Sequence, residues 1–144
     1  MSGSIGADGT KLILQILQNN SNLTGLDLST NDIGNEGAQY ISQPLKTNST
    51  LTQLNLRKNR IGDEGALFIS NALKHNSTLT DLDLGYNKIR ANGAQLISES
   101  LQINFTLTNL VLWNNFIGND GIKSISEMLK INNKLNTLDL TSNQ

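Results

Sequence analysis

Few side chains in this sequence are of the kinds that carry out reactions. His75 is the sole histidine, and cysteine is absent. Disulfides, thiolate metal sites and cysteine nucleophiles are thereby removed together. One imidazole supports neither a zinc site of ordinary composition nor a triad built on a second histidine; at the end of a helix, His75 is expected to face solvent and suit the dipole. Gly3, Gly6 and Gly9 are evenly spaced but fit neither a P-loop nor a dinucleotide-binding turn. Asp81, Asp83 and Gly85 weakly resemble the start of a calcium loop, but the later ligands are missing and Leu82 and Leu84 alternate with them as a core strand would. No nucleophile, base and orienting group converge, so the chain is expected to hold no cofactor or metal and not to be an enzyme.

What remains is recognition. The sole tryptophan, Trp113, and the cluster Arg57, Lys58 and Arg60 are of the types that anchor interfaces. The chain has 144 residues, the size of one domain, and a formal net charge of −1. That balance argues against nucleic acid and against a membrane surface as partner. Hydrophobic residues make up 37% and aromatics 4%, so any core must be aliphatic. No stretch approaches the ~18 apolar residues of a membrane span. The opening Met1-Ser2-Gly3-Ser4-Ile5-Gly6 has neither the basic nor the apolar region of a signal peptide. A cytoplasmic location is expected, and the Asn-x-Ser/Thr sequons at Asn19, Asn22, Asn48, Asn76 and Asn104 are read as products of a repeat rather than as glycan sites.

That repeat must position everything else. Leu23-Thr24 recurs as Leu51-Thr52, Leu79-Thr80, Leu107-Thr108 and Leu135-Asn136, each step 28 residues. The single domain 1–144 therefore divides into a partial repeat 5–22, full repeats 23–50, 51–78, 79–106 and 107–134, and a partial repeat 135–144. Each unit opens on L-x-x-L-x-L-x-x-N, as in Leu23, Leu26, Leu28 and Asn31. Leu-x-Leu alternation puts two leucines on one face of a short strand. Apolar positions then move to helical spacing, as in Ala38, Ile41 and Leu45. Glu36, Glu64 and Asp120 suit the positive end of each helix. Parallel strands joined by helical crossovers follow. No unit can bury its leucine face alone, so stacked units share one core. Asn31, Asn59, Asn87, Asn115 and Asn143 sit where the strand turns away and are expected to bond backbone groups left open by the bend.

Leu51, Leu54, Leu56, Asn59, Ile61, Gly65, Ala66, Ile69, Leu73 and Asn76 carry a resemblance to the ribonuclease-inhibitor-like subfamily of leucine-rich repeats, extending from Ile5 to Asn143. The resemblance implies an α/β fold: a right-handed solenoid, a horseshoe segment with a parallel concave sheet and outer helices. It also implies a non-enzymatic scaffold that grips other proteins. Ribonuclease inhibitor itself is rich in cysteine, so the narrower match is disfavoured.

Two internal departures stand out. Pro44 takes a helix position held elsewhere by Ala72, Ser100 and Met128, which predicts a kinked or early-ending helix. Arg90 replaces the glycine of Gly34, Gly62 and Gly118, so that turn must do without its permissive residue. Neither end of the chain has a polar cap, which predicts either further repeats or cover from another chain.

The strand residues between the leucines must point to the concave side. One row reads Asp27, Asn55, Asp83, Val111, Asp139; the next reads Ser29, Arg57, Gly85, Trp113, Thr141. Beyond them lie Thr30, Lys58, Tyr86, Asn114, Ser142, and then Asp32, Arg60, Lys88, Phe116. Two clusters are predicted. Arg57, Lys58, Arg60, Lys88 and Arg90 form a basic patch, expected to be paired with Asp27 and Asp83. Val111, Trp113, Phe116 and Tyr86 form an apolar patch beside it. The function expected is a non-catalytic module that binds another protein through this face. The alternative is a structural unit associating through its open ends, with the last strand (Thr137, Asp139, Thr141) as the edge for a homodimer.

Overall fold

Alternation and helical spacing fall where the sequence puts them. A computed structural model describes residues 4–144. Its elements are α1 (Gly6–Asn19), β1 (Gly25–Asp27), α2 (Gly34–Leu45), β2 (Gln53–Asn55), α3 (Asp63–Leu73), β3 (Asp81–Asp83), α4 (Ala91–Leu101), β4 (Asn109–Val111), α5 (Gly118–Leu129) and β5 (Thr137–Asp139). The strands form one parallel sheet in sequential order, in register through Leu26, Leu54, Leu82, Leu110 and Leu138. Each helix packs on the next. This is an α/β leucine-rich-repeat solenoid: one open sheet, one layer of helices and an aliphatic core between them.

The core is the repeat seen end-on. Leu51, Leu56, Ile61, Ala66, Ile69 and Leu73 are fully buried, as are their counterparts one repeat on. Gly65, Gly93 and Gly121 let the helices approach: a Cβ on them would lie 3.1–3.3 Å from the Cβ of Ala38, Ala66 or Ala94 in the preceding helix. Leu129 is 45% exposed where Leu45, Leu73 and Leu101 are fully buried.

Two asparagine ladders stitch the units together. The Asn87 side-chain oxygen accepts from the backbone N–H groups of Asn59 and Ile61, both at 3.0 Å. Its amide donates to the carbonyls of Leu56 (3.0 Å) and Leu84 (2.9 Å). Asn59 repeats this toward Asn31, Ile33 and Leu28, and Asn115 toward Ile89 and Leu84. The second ladder lies at the helix ends, where Asn48, Asn76, Asn104 and Asn132 donate to the carbonyls of Leu17, Leu45, Leu73 and Leu101. Asn76 and Asn104 are buried, so those two sequons are spent on structure. His75, just past α3, is exposed.

The surroundings accommodate both internal departures. Pro44 lies inside α2, yet α2 ends at Leu45, in register with Leu73 and Leu101, so it does not end early. Proline so near the end removes a donor, but the terminal carbonyls find others: the Pro44 carbonyl accepts from Asn48 N–H at 2.9 Å. Arg90 needs no glycine, because its backbone is extended at φ −107°. The reason lies one repeat earlier. Asp63 accepts from the N–H groups of Arg90 (2.7 Å) and Gly93 (3.0 Å), capping α4 from the neighbouring unit. Asn35 does the same for Gly62 and Gly65 ahead of α3. Where that capping position holds alanine, at Ala7 and Ala91, the turn is left-handed and glycine is needed: Gly34 has φ +65° and Gly118 φ +60°. Of the evenly spaced glycines, Gly6 and Gly9 belong to α1 and Gly3 lies outside the described residues.

Candidate protein-binding surface

The residue before each ladder asparagine turns left-handed: Thr30, Lys58, Tyr86, Asn114 and Ser142 have φ between 51° and 61°. Because every unit does this, it belongs to the fold rather than to one site. Its effect is to carry Lys58 and Tyr86 outward to the rim where the strands end. Asp32 and Arg60 are left-handed too (φ 56° and 59°), whereas at Lys88 and Phe116 the N–H instead donates to Ile61 and Ile89. The rim is thus built in two styles, one in the first two repeats and another in the next two.

The two predicted clusters meet through Trp113 and Tyr86. A Cβ on Gly85 would lie 2.3 Å from Trp113 Nε1 and 2.5 Å from its Cδ1. The indole therefore lies across the bare backbone of Gly85 and reaches the rung beyond. There the Arg57 guanidinium sits 4.9 Å from its ring centroid. Tyr86 packs on the indole with centroids 5.7 Å apart and planes at 58°, and the Lys58 ammonium is 5.7 Å from the Tyr86 ring. Exposed cation–π contacts contribute ~0.5–1 kcal/mol each, and an aromatic pair ~0.5–1.5 kcal/mol. These terms are too small to hold the fold, but large enough to fix the side chains before a partner arrives.

Phe116 is 58% exposed and Tyr86 46%. Both line a rim groove of about 560 Å³, together with Ser4, Thr30, Asp32, Lys58, Arg60, Asn87, Lys88 and Asn114. Val111 is half-buried and lies apart from them, in the floor of the sheet, where a shallower hollow is lined by Asp27, Asn55, Asp81, Asp83 and Asn109.

The expected pairing of the basic patch with Asp27 and Asp83 is not found. Arg60 bonds Asp32 instead, at 2.9 Å. Among the described residues, no carboxylate lies within ion-pair range of Arg57, Lys58, Lys88 or Arg90. The carboxylates of Asp27 and Asp83 are occupied by their own chain: they accept from the N–H groups of Ser29 (2.8 Å) and Gly85 (2.7 Å). Asn55 does likewise for Arg57 and Asp139 for Thr141. The backbone N–H of Ser29, then its hydroxyl, hold the Asp27 carboxyl below its ordinary value. The Thr141 hydroxyl, then its N–H, do the same for Asp139. Asp83 thereby steadies the very peptide on which the indole rests. Of the edge residues, Thr137 and Thr141 are exposed and Asp139 is half-buried.

Gly85 was the residue missed as part of this site. The signal was present: the smallest residue stands next to the largest in one row. A second unforeseen feature lies on the opposite rim, where Ile103, Phe105 and Ile131 are 60%, 47% and 53% exposed. Among the described residues, no group of three or more His, Asp or Glu is placed to hold a metal ion, and no helix is long and apolar enough to cross a membrane.

Fold and surface together define a solenoid that presents one preformed patch on an otherwise polar sheet. Three segments, residues 19–42, 47–70 and 75–98, match the family model described as leucine-rich repeat. The chain belongs to the leucine-rich repeat family. No curated protein matches it. Among solved structures, it is similar to leiomodin-1 actin-binding site 2, with 30% identity, TM-score 0.84 and coverage of 88% of this chain and 76% of that one. It is also similar in fold to the tropomodulin C-terminal domain of Caenorhabditis elegans, with 12% identity, TM-score 0.82 and coverage of 92% and 82%.

Proposed function

We propose that the chain is a non-catalytic module of the cytoplasm that binds another protein through the concave sheet and its rim, centred on Trp113, Tyr86, Phe116 and Arg57. The observation that carries this reading is the seating of the indole over Gly85 under Arg57. An interface aromatic already held in place loses little freedom on binding. The 28-residue period and a helix in every unit support the ribonuclease-inhibitor-like branch and the division into repeats 23–50, 51–78, 79–106 and 107–134. The test is affinity capture from a cell lysate with the wild-type chain and Trp113→Ala. A protein retained by the first and lost by the second supports the reading; identical captures overturn it. The likeness to a leiomodin-1 domain described as an actin-binding site makes actin the first named partner to try, by cosedimentation.

A second reading is self-association through β5. Leu135, Leu138 and Leu140 are only partly buried, while Leu79, Leu82 and Leu84 are at most 1% exposed. An exposed strand edge is a template for another strand, and Thr137 and Thr141 line this one. Light scattering at two concentrations decides it: a mass that stays at one chain removes the homodimer.

A further inference from the structure

The sign of charge changes across the concave surface. The sheet floor carries Asp27, Asp81 and Asp83, and the rim groove carries Lys58, Arg60 and Lys88. The one carboxylate lining that groove, Asp32, is already taken by Arg60 at 2.9 Å. Lys58 and Lys88 have no carboxylate within ion-pair range among the described residues. The chain as a whole has 11 Lys and Arg against 12 Asp and Glu, so this local excess does not follow from composition. The two lysines share the groove with the exposed rings of Tyr86 and Phe116.

Cations and aromatics together also suit single-stranded nucleic acid, which stacks bases on free ring faces. Here, of the three rings at the groove and its edge, only Phe116 has no cation over it among the described residues. Arg57 lies over Trp113 and Lys58 over Tyr86, and a phosphate strand leaving the groove would run onto the carboxylates of the floor. A ligand with its negative charge confined to a few residues avoids both problems.

Resting on the reading of this face as protein-binding, we propose that the rim groove takes a short acidic segment of the partner, in which carboxylates accompany one aromatic or large apolar side chain. Lys58 and Lys88 receive the carboxylates. Phe116, with the exposed part of Tyr86, covers the apolar side chain. Electrostatic complementarity of this kind sets orientation and rejects wrong partners more than it adds affinity.

Trp113, as the sole tryptophan, reports from the groove's edge by its own fluorescence. The probes are a capped Glu-Glu-Phe-Glu-Glu peptide, its Lys-Lys-Phe-Lys-Lys counterpart and a thymidine pentanucleotide. The acidic peptide is expected to shift Trp113 emission saturably, more weakly at high salt, and the others not to. The double variant Lys58→Glu/Lys88→Glu changes two exposed side chains and should stay folded, its melt lowered by no more than the loss of the Lys58–Tyr86 contact, while binding the acidic peptide on the order of tenfold less tightly, two exposed ion pairs with the peptide being removed. Equal or tighter binding of the basic peptide or the oligonucleotide overturns the proposal, as does an acidic peptide indifferent to the double variant or unbound. Lysate capture with the same variants separates the layers. Loss with Trp113→Ala but not with the lysine variant leaves the protein-binding surface standing and removes the acidic segment. Indifference to both removes both.

Discussion

Along the inner bend of the coil, Asn59, Asn87 and Asn115 repeat one arrangement of hydrogen bonds. Two residues before each of them, Arg57, Gly85 and Trp113 have nothing in common. The two rows run side by side on the same rungs. The first faces groups that every unit presents alike, so one residue type satisfies all of them. The second faces solvent, where the fold demands nothing and the residues are free to differ. In a solenoid the departures from the period, on the side away from the core, are therefore where a specificity can be written without cost to the fold. Trp113 over Gly85 is the largest such departure: a big side chain seated on an absence.

The comparison can be broken from either side. The largest effect belongs to the shared core: Leu82→Ala should cost ~2–5 kcal/mol in urea melts, because Leu82 is 1% exposed. Next comes the ladder. Asn87→Ala should cost ~1–3 kcal/mol, leaving the N–H groups of Asn59 and Ile61 without their acceptor. If it melts as wild type, the ladder is not what joins the units.

The rim should respond in the opposite way. Gly85→Ala places a Cβ inside the indole's position. Because the indole can swing outward, stability should fall by only ~1 kcal/mol, the worth of its pairing with Tyr86 and Arg57. Trp113 emission should change with it. In the Trp113→Ala background the same substitution should be nearly silent, as a double-mutant cycle would show. Trp113→Ala alone should cost about 1–2 kcal/mol of stability, since it removes the same pairings, yet at least about 2 kcal/mol of partner binding if it anchors the interface.

The smallest effect concerns the floor. Asp27→Asn should change stability at neutral pH by less than about 0.5 kcal/mol, since Asn55 already does the same task with an amide oxygen. The difference should appear in acid. The Asp27 carboxyl is held below its ordinary value in the fold, so its contribution is present above the unfolded value and is lost as pH falls through the folded one. Wild type should therefore lose slightly more stability on acidification than Asp27→Asn. Parallel melts at descending pH check this, and identical acid limbs would remove the role assigned to the Ser29 N–H.

How much was legible in the sequence follows from the same contrast. Strands, helices, register and the asparagine ladder were legible because they repeat, and a period averages over local accidents. The concave rows were legible because side chains alternate along a strand. What could not be read off was how residues in different rows meet. Trp113 leans along the stack to reach Arg57, two rungs away, which alternation does not specify. Asp27 and Asp83 were expected to pair with the basic patch, but a backbone N–H two residues on is nearer than any lysine. Arg90 was expected to leave its turn without a permissive residue, and what replaces the glycine is Asp63, in the preceding repeat, which sets that turn extended. Pro44 was expected to kink its helix or end it early; the helix does not end early, because Pro44 stands at the last turn, where the helix is ending anyway. Each of these outcomes turns on a meeting between units or on a few ångströms, neither of which the period encodes.

The most direct test of the central claim is hydrogen exchange by mass spectrometry on the chain alone and with the partner that capture retains. The account predicts new protection in the peptides spanning residues 57–60, 83–90 and 111–116, with the helices unchanged. Protection confined to the helices, to residues 103–105 and 131 on the opposite rim, or to residues 135–144 would contradict it.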